Sequence, residues 1–193
     1  MDVSATPIRL HPGAKNYLFQ NFQSLRYIFS DVLGQAETDY LSIALINIHN
    51  ELFFISSTPS IEQSLIEKNL WQYDNSYQTS FVAHNKPGLW SEVTPPKDAL
   101  ELYQYKQNVH GLICGLSIPY QHPDYSIVFS YGFKKSFSQQ QLWTQQHKLI
   151  AMGKFCLRKI IDAIPLLDRQ NASRPKPDLK LIINNKEAHE ITT

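Results

Sequence analysis

Two stretches decide the fold: Leu112-Ile113-Cys114-Gly115-Leu116-Ser117-Ile118 and Tyr125-Ser126-Ile127-Val128-Phe129-Ser130-Tyr131-Gly132-Phe133. Side chains alternate across a strand, so residues two apart share a face. Leu112, Cys114, Leu116 and Ile118 therefore share one face, and Tyr125, Ile127, Phe129, Tyr131 and Phe133 share another. The opposite faces carry Gly115 and Ser117, and Ser126, Val128, Ser130 and Gly132. The pair reads as two strands joined by a turn at His122-Pro123-Asp124. One side of their sheet is bulky and the other is small. An unfilled core gap costs about 1 kcal/mol per methyl-sized void. The space over the small side must be filled by large side chains of a covering helix or by a ligand.

Outward from this pair, the rest of the chain supplies layers. Residues 14–34 predict one amphipathic helix, with Leu18, Phe22, Leu25, Phe29 and Val32 on its apolar face and Gly34 as its stop. The run from Tyr40 to Ile48 predicts a central strand, and Leu52 to Ser56 its hairpin partner across His49-Asn50-Glu51. Thr58-Pro59-Ser60 opens a helix with Ile61, Leu65 and Leu70 facing inward. Residues 75–89 read as an irregular loop with a short helix. Pro95-Pro96 stops a further short strand, and residues 97–108 read as a helix. Ser138 caps a long helix reaching Ile164, with Leu142, Leu149, Met152, Cys156 and Ile160 as its stripe. The expected fold is of the α/β (α+β) class, an α-β-α sandwich around a central antiparallel sheet. Its expected parts are an N-terminal extension over 1–13, one domain over 14–164, and a polar linker or tail over 165–193.

Composition excludes several classes. At 193 residues with 42% apolar and 18% charged residues, the chain can build a sizeable core. A net charge of +1, with only short basic clusters such as Lys134-Lys135, argues against a phosphate-gripping surface. Cys114 and Cys156 form no ligand spacing and read as reduced, buried thiols. Nothing approaches a membrane span or a signal peptide, so a cytoplasmic protein is expected. Seven histidines are scattered with no metal-like pair, and no nucleophile elbow, P-loop or dinucleotide fingerprint occurs. His110 and Cys114 on one strand would lie about 13 Å apart, too far for a nucleophile and its base. No enzyme, cofactor or metal is expected.

The stretch Leu70-Trp71-Gln72-Tyr73-Asp74, with Trp90 sixteen residues after Asp74, carries the binding chemistry. An ionised carboxylate accepts hydrogen bonds and an indole N–H donates one, so the pair would suit a ligand with an amide N–H and a carbonyl. The alternative is structural: an exposed Asp74 starting a turn at Asn75-Ser76, and a core Trp90.

These residues resemble the autoinducer-binding domain of LuxR-type quorum-sensing regulators, a fold of the PAS/GAF kind. Gly111 to Pro119 is similar to that family's glycine-x-x-x-glycine strand ending in isoleucine-proline. Asp74 and Trp90-Ser91 fall where the family has its ligand-binding aspartate and tryptophan. The resemblance covers about residues 14–164. It implies a sensor for a small-molecule signal such as an acylated homoserine lactone. Asp74 would accept from the amide and Trp90 would donate to the lactone carbonyl. Ser130 would lie near the acyl carbonyl, with Tyr73, Ile61, Leu65 and Gly115 around the ligand. Where the family usually has a tryptophan and a tyrosine, this chain has Ile61 and Leu65, so one hydroxyl donor is lost. The family's helix-turn-helix domain would follow the linker, and DNA contact is expected only through such a domain. The resemblance also implies dimerisation, with a second copy or a related regulator, through the 138–164 helix. The alternative function is a ligand-independent dimerisation module that modulates a full-length regulator.

Overall fold

The computed structural model describes residues 7–93 and 100–167. Six strands form one sheet: β1 (Arg9–Leu10), β2 (Tyr40–Ile46), β3 (Glu51–Ser56), β4 (Gly88–Leu89), β5 (Cys114–His122) and β6 (Tyr125–Phe133), in the order β1-β3-β2-β6-β5-β4. All neighbours are antiparallel except the edge strand β1, which runs parallel to β3. The expected antiparallel sheet is present, and residues of the N-terminal extension add its one parallel strand.

The β2–β3 hairpin closes over Asn47 to Asn50, and Asn50 takes the left-handed conformation at φ 57°. β2 is buried along its whole length because β3 and β6 flank it on both sides. Strand β5 runs further than its alternation suggests, through Pro119 to His122. β4 pairs only with Leu116 and Ser117, so the missing N–H of Pro119 removes no bond to that neighbour.

Register sorts the two faces as the alternation requires from Cys114 on, but Leu112, expected on the bulky face, precedes the strand and turns to the small side against Gly132. Gly115 lies opposite Gly132, and Ser117 opposite Ser130. Ser130 lies opposite Ser42, and Ser42 opposite Ser56. A row of four buried serines thus crosses four strands on the small side of the sheet.

The bulky side packs on the long helix α6 (Gln139–Ala163). Ser138 and Gln141 form a reciprocal capping box at its start. The expected stripe, Leu142, Leu149, Met152, Cys156 and Ile160, is buried. Gly153 allows close approach: a Cβ there would sit 2.7 Å from both Phe129 Cγ and the Tyr131 hydroxyl. The Tyr131 hydroxyl donates to the Leu149 carbonyl at 2.6 Å, so the buried phenol is satisfied within the same contact.

The expected single helix over 14–34 is two, α1 (Ala14–Gln20) and α2 (Phe22–Ser30), broken at Asn21. α1 packs on β3, with Tyr17 edge-on to Phe53 at 5.6 Å, whereas α2 packs on α6. One straight helix cannot serve both directions. The break takes Phe22 off the apolar face and leaves it 36% exposed, while Leu18, Leu25, Phe29 and Val32 are buried. Gly34 ends the segment at φ 86°.

The small side is covered by α3 (Pro59–Glu67), by short 3-10 turns at Leu70–Tyr73 and Asn75–Tyr77, by α4 (Thr79–His84), and by α5 (Leu100–Gln104). α5 runs on into a π-helical turn, Tyr105–Val109. The Pro95-Pro96 stop and the start of the expected 97–108 helix lie outside the described residues. Beyond α6, Leu166 is buried and the Pro165 carbonyl accepts from the Tyr17 hydroxyl at 3.1 Å, so the start of the expected linker packs on the core.

Candidate functional site

Asp74 is placed by two turns in succession. Asn69, left-handed at φ 55°, ends the run from α3, and the 3-10 turn after it buries Leu70 and Trp71. Tyr73, in the same turn, points outward and is 40% exposed. Asp74 then caps the next turn: its Oδ1 accepts from the Ser76 backbone N–H at 3.1 Å and from the Ser76 hydroxyl. So the expected turn at Asn75-Ser76 exists, yet Asp74 is only 6% exposed rather than a surface cap.

A buried carboxylate needs a counter-charge. The second oxygen, Oδ2, accepts from the Lys106 ammonium at 2.8 Å. Lys106 is itself 7% exposed. Burial alone would push the Asp74 carboxyl up. The nearby Lys106 charge, its hydrogen bond and those of Ser76 outweigh burial and hold it below the usual carboxylate range.

Trp90 follows β4, with its backbone N–H bonded to the Gly115 carbonyl at 2.9 Å. Its indole lies on the shelf made by the two facing glycines. A Cβ on Gly115 would be 2.2 Å from Trp90 Cδ2, and one on Gly132 3.0 Å from Cη2. The ring is edge-on to Tyr40 at 6.2 Å. The small side at β5–β6 is therefore filled here by an indole rather than by a helix. The Lys106 ammonium stands 4.2 Å from the centre of the Trp90 ring, a cation–π distance.

These groups line one cavity, with Val93, Leu102, Tyr103 and Leu112 as its other walls. Its volume is about 20 Å³, room for about one water molecule. Asp74 and Trp90 are thus brought together, as expected. Gly115 lies beneath the indole. Ser130 shares a hydrogen bond with Ser117 at 3.2 Å, and neither it nor Gly115 lines the cavity. Ile61 and Leu65 are buried on α3 and, like Tyr73, do not line this cavity.

Two polar groups escape the sequence reading. Lys106 sits in a stretch of mixed polarity, and a π-helical turn has no sequence signature that would mark it. Glu62 had a signal: with Pro59 and Ile66 it recurs at spacings of three and four, which is an inward face of α3. It is fully buried, accepts from the Tyr40 hydroxyl, and lies beside Ser42 and Ser56 of the serine row. Burial raises its carboxyl above the usual value, and the hydrogen bonds only partly offset this.

Cys114 and His110 are each engaged with other partners. Cys114 donates to the Lys135 carbonyl at 3.3 Å, and burial pushes its thiol up, away from a reactive thiolate. His110 pairs with the Tyr105 hydroxyl at 3.0 Å. Among the described residues no cluster of three or more His, Cys, Asp or Glu side chains could hold a metal. No helix among them is long and apolar enough to cross a membrane.

No protein-family model and no curated protein sequence matches the chain. Solved structures share its fold. SdiA from Escherichia coli is similar with a TM-score of 0.54 at 17% identity, over 81% of this chain and 71% of SdiA. The ligand-binding domain of VqsR from Pseudomonas aeruginosa gives 0.51 at 15% identity, over 78% and 96%. CepR2 from Burkholderia cenocepacia, an N-acylhomoserine lactone dependent LuxR family transcription factor, gives 0.53 at 11% identity, over 76% and 95%. The fold of this chain, a six-stranded sheet between helical layers, is that of LuxR-family autoinducer-binding domains.

Proposed function

We propose that this chain is a non-catalytic small-molecule sensor domain of the LuxR autoinducer-binding type, acting in the cytoplasm. It takes an acylated signal between the small side of the sheet and α5. The observation that carries this reading is the cavity in which a buried carboxylate, Asp74, and an indole, Trp90, both take part. Support also comes from the shared fold: SdiA has been solved with octanoyl-rac-glycerol bound, a likeness with a TM-score of 0.53 at 16% identity.

The energetics divide between head and tail. A hydrogen bond to a charged group contributes roughly 1.5–3 kcal/mol. An acyl chain laid against Val93, Leu102 and Leu112 adds about 0.8 kcal/mol per buried CH₂. The tail dominates affinity and the polar pair sets orientation. Sites for drug-sized ligands run to about 300–1,000 Å³, far above the present volume. Binding therefore requires Leu102 and Tyr103 to move aside, and the signal works by exchanging one packing of this roof for another.

The second reading, a ligand-independent dimerisation module, is favoured by one observation: the Asp74–Lys106 pair satisfies the site without a ligand. The exposed side of α6 weighs against it. Gln140, Thr144, His147, Lys148, Lys154 and Arg158 make that side polar, unlike the apolar centre of a stable dimer interface. A thermal melt with octanoyl-rac-glycerol and with N-octanoyl homoserine lactone separates the two. The sensor reading expects a rise in Tm that grows with concentration and shrinks in Leu112→Arg. A Tm indifferent to both probes supports the module.

A further inference from the structure

We propose that Lys106 determines specificity: it fills the hydrogen-bonding demand of Asp74, so the site selects acyl signals whose head group offers oxygen acceptors and has no use for an amide donor. This rests on the sensor reading above.

In Asp74, Oδ1 accepts twice from Ser76 and Oδ2 once from Lys106, so three of the carboxylate's roughly four acceptor sites are taken and its charge is balanced. An incoming N–H must either crowd onto the one oxygen site left, beside an ammonium in contact at 2.8 Å that repels the positive end of the N–H dipole, or displace that ammonium. Displacement would strand a buried cation, among the costliest changes a core can undergo. The ammonium carries three N–H donors, and Asp74 takes one. The indole face stands 4.2 Å from it and supplies attraction without accepting all that remains. Besides Asp74, only Tyr103 among the described residues brings an acceptor side chain to the lining; Val93, Leu102 and Leu112 bring none. The chemistry that the cavity asks of a ligand is therefore a carbonyl or ether oxygen. A second carboxylate suits it less, because Asp74 already balances the single Lys106 charge.

Local structure holds Lys106 in this place. It lies in the π-helical turn, whose end is closed by Gly111 N–H to the Gln107 carbonyl at 2.9 Å and Leu112 N–H to the Lys106 carbonyl at 3.1 Å. Gly111 has φ 67°, a conformation that favours glycine. Single π turns inside helices are rare and recur at functional sites.

The test uses two probes that differ in one atom: N-octanoyl homoserine lactone, and the octanoyl ester of α-hydroxy-γ-butyrolactone, in which oxygen replaces the amide N–H. The chain should bind the ester as tightly as the amide or more so, within about threefold. Lys106→Met should turn this round, favouring the amide by about tenfold or more, because Asp74 then needs a donor. Lys106→Arg, which keeps charge and donors, should retain the original ranking. If the unmodified chain prefers the amide by tenfold, the assignment is overturned even where Lys106→Met does not fold. If the ester matches the amide but Lys106→Met keeps that ranking, Lys106 is not the determinant. Should neither probe bind the unmodified chain, this assignment is overturned, and the sensor reading falls with it where octanoyl-rac-glycerol fails to bind too.

Discussion

Glu62 and Asp74 are both carboxylates buried on the small side of the sheet, and their surroundings push them in opposite directions. Asp74 has a cation at contact distance and sits below the usual range; Glu62 has hydroxyls alone and sits above it. The consequences for stability have opposite signs. The lowered Asp74 contributes stability that is present above its unfolded value and lost as pH falls through the folded one, in the acid range. The raised Glu62 contributes stability that is complete below about pH 4 and lost as pH rises through its folded value. Glu62→Gln, which mimics the protonated acid, should therefore lose less stability than the unmodified chain as pH rises from about 4 toward neutrality, as read by urea midpoints. An unchanged pH profile would contradict a raised Glu62. At this scale the sequence is half legible. Asp74 and Trp90 stand out because their types and spacing carry chemistry. Lys106 does not, because its partner is 32 residues away and nothing local demands the pair.

At the scale of elements, the close fits are made by glycines. Gly115 and Gly132 give the indole a flat seat, and Gly153 lets α6 settle on Phe129 and Tyr131. Gly115→Ala should cost about 1–3 kcal/mol, because the new methyl meets a ring held against the sheet. The urea midpoint should fall at unchanged slope, with a shift in tryptophan emission as the indole lifts. Stability equal to that of the unmodified chain would mean that the ring does not rest on the strand. The alternation over 112–133 foretold the narrow side of the sheet, and the α6 stripe foretold its packing. The break at Asn21 stayed hidden, because the apolar spacing of Leu18, Phe22, Leu25 and Phe29 reads as one helix. Only the separate partners of α1 and α2, β3 and α6, require two. The β1 pairing also escaped, since two residues carry no period.

For the whole molecule, the order of elements was enough to predict helical layers on both sides of one sheet, and the architecture agrees with that of SdiA and of the VqsR ligand-binding domain. What the order could not reveal is how full the space between the layers is. That depends on the depth of each side chain and on an ion pair joining distant segments. The central claim is that this space opens to an acylated signal beside Trp90. The chain has three tryptophans, and Trp71 and Trp143 do not line the cavity. The most direct measurement is the indole N–H spectrum of the ¹⁵N-labelled protein, assigned with Trp90→Phe, during titration with octanoyl-rac-glycerol. The account predicts a saturable shift of the Trp90 resonance while those of Trp71 and Trp143 stay in place. A titration that leaves Trp90 unmoved, or moves only the other two, would contradict it.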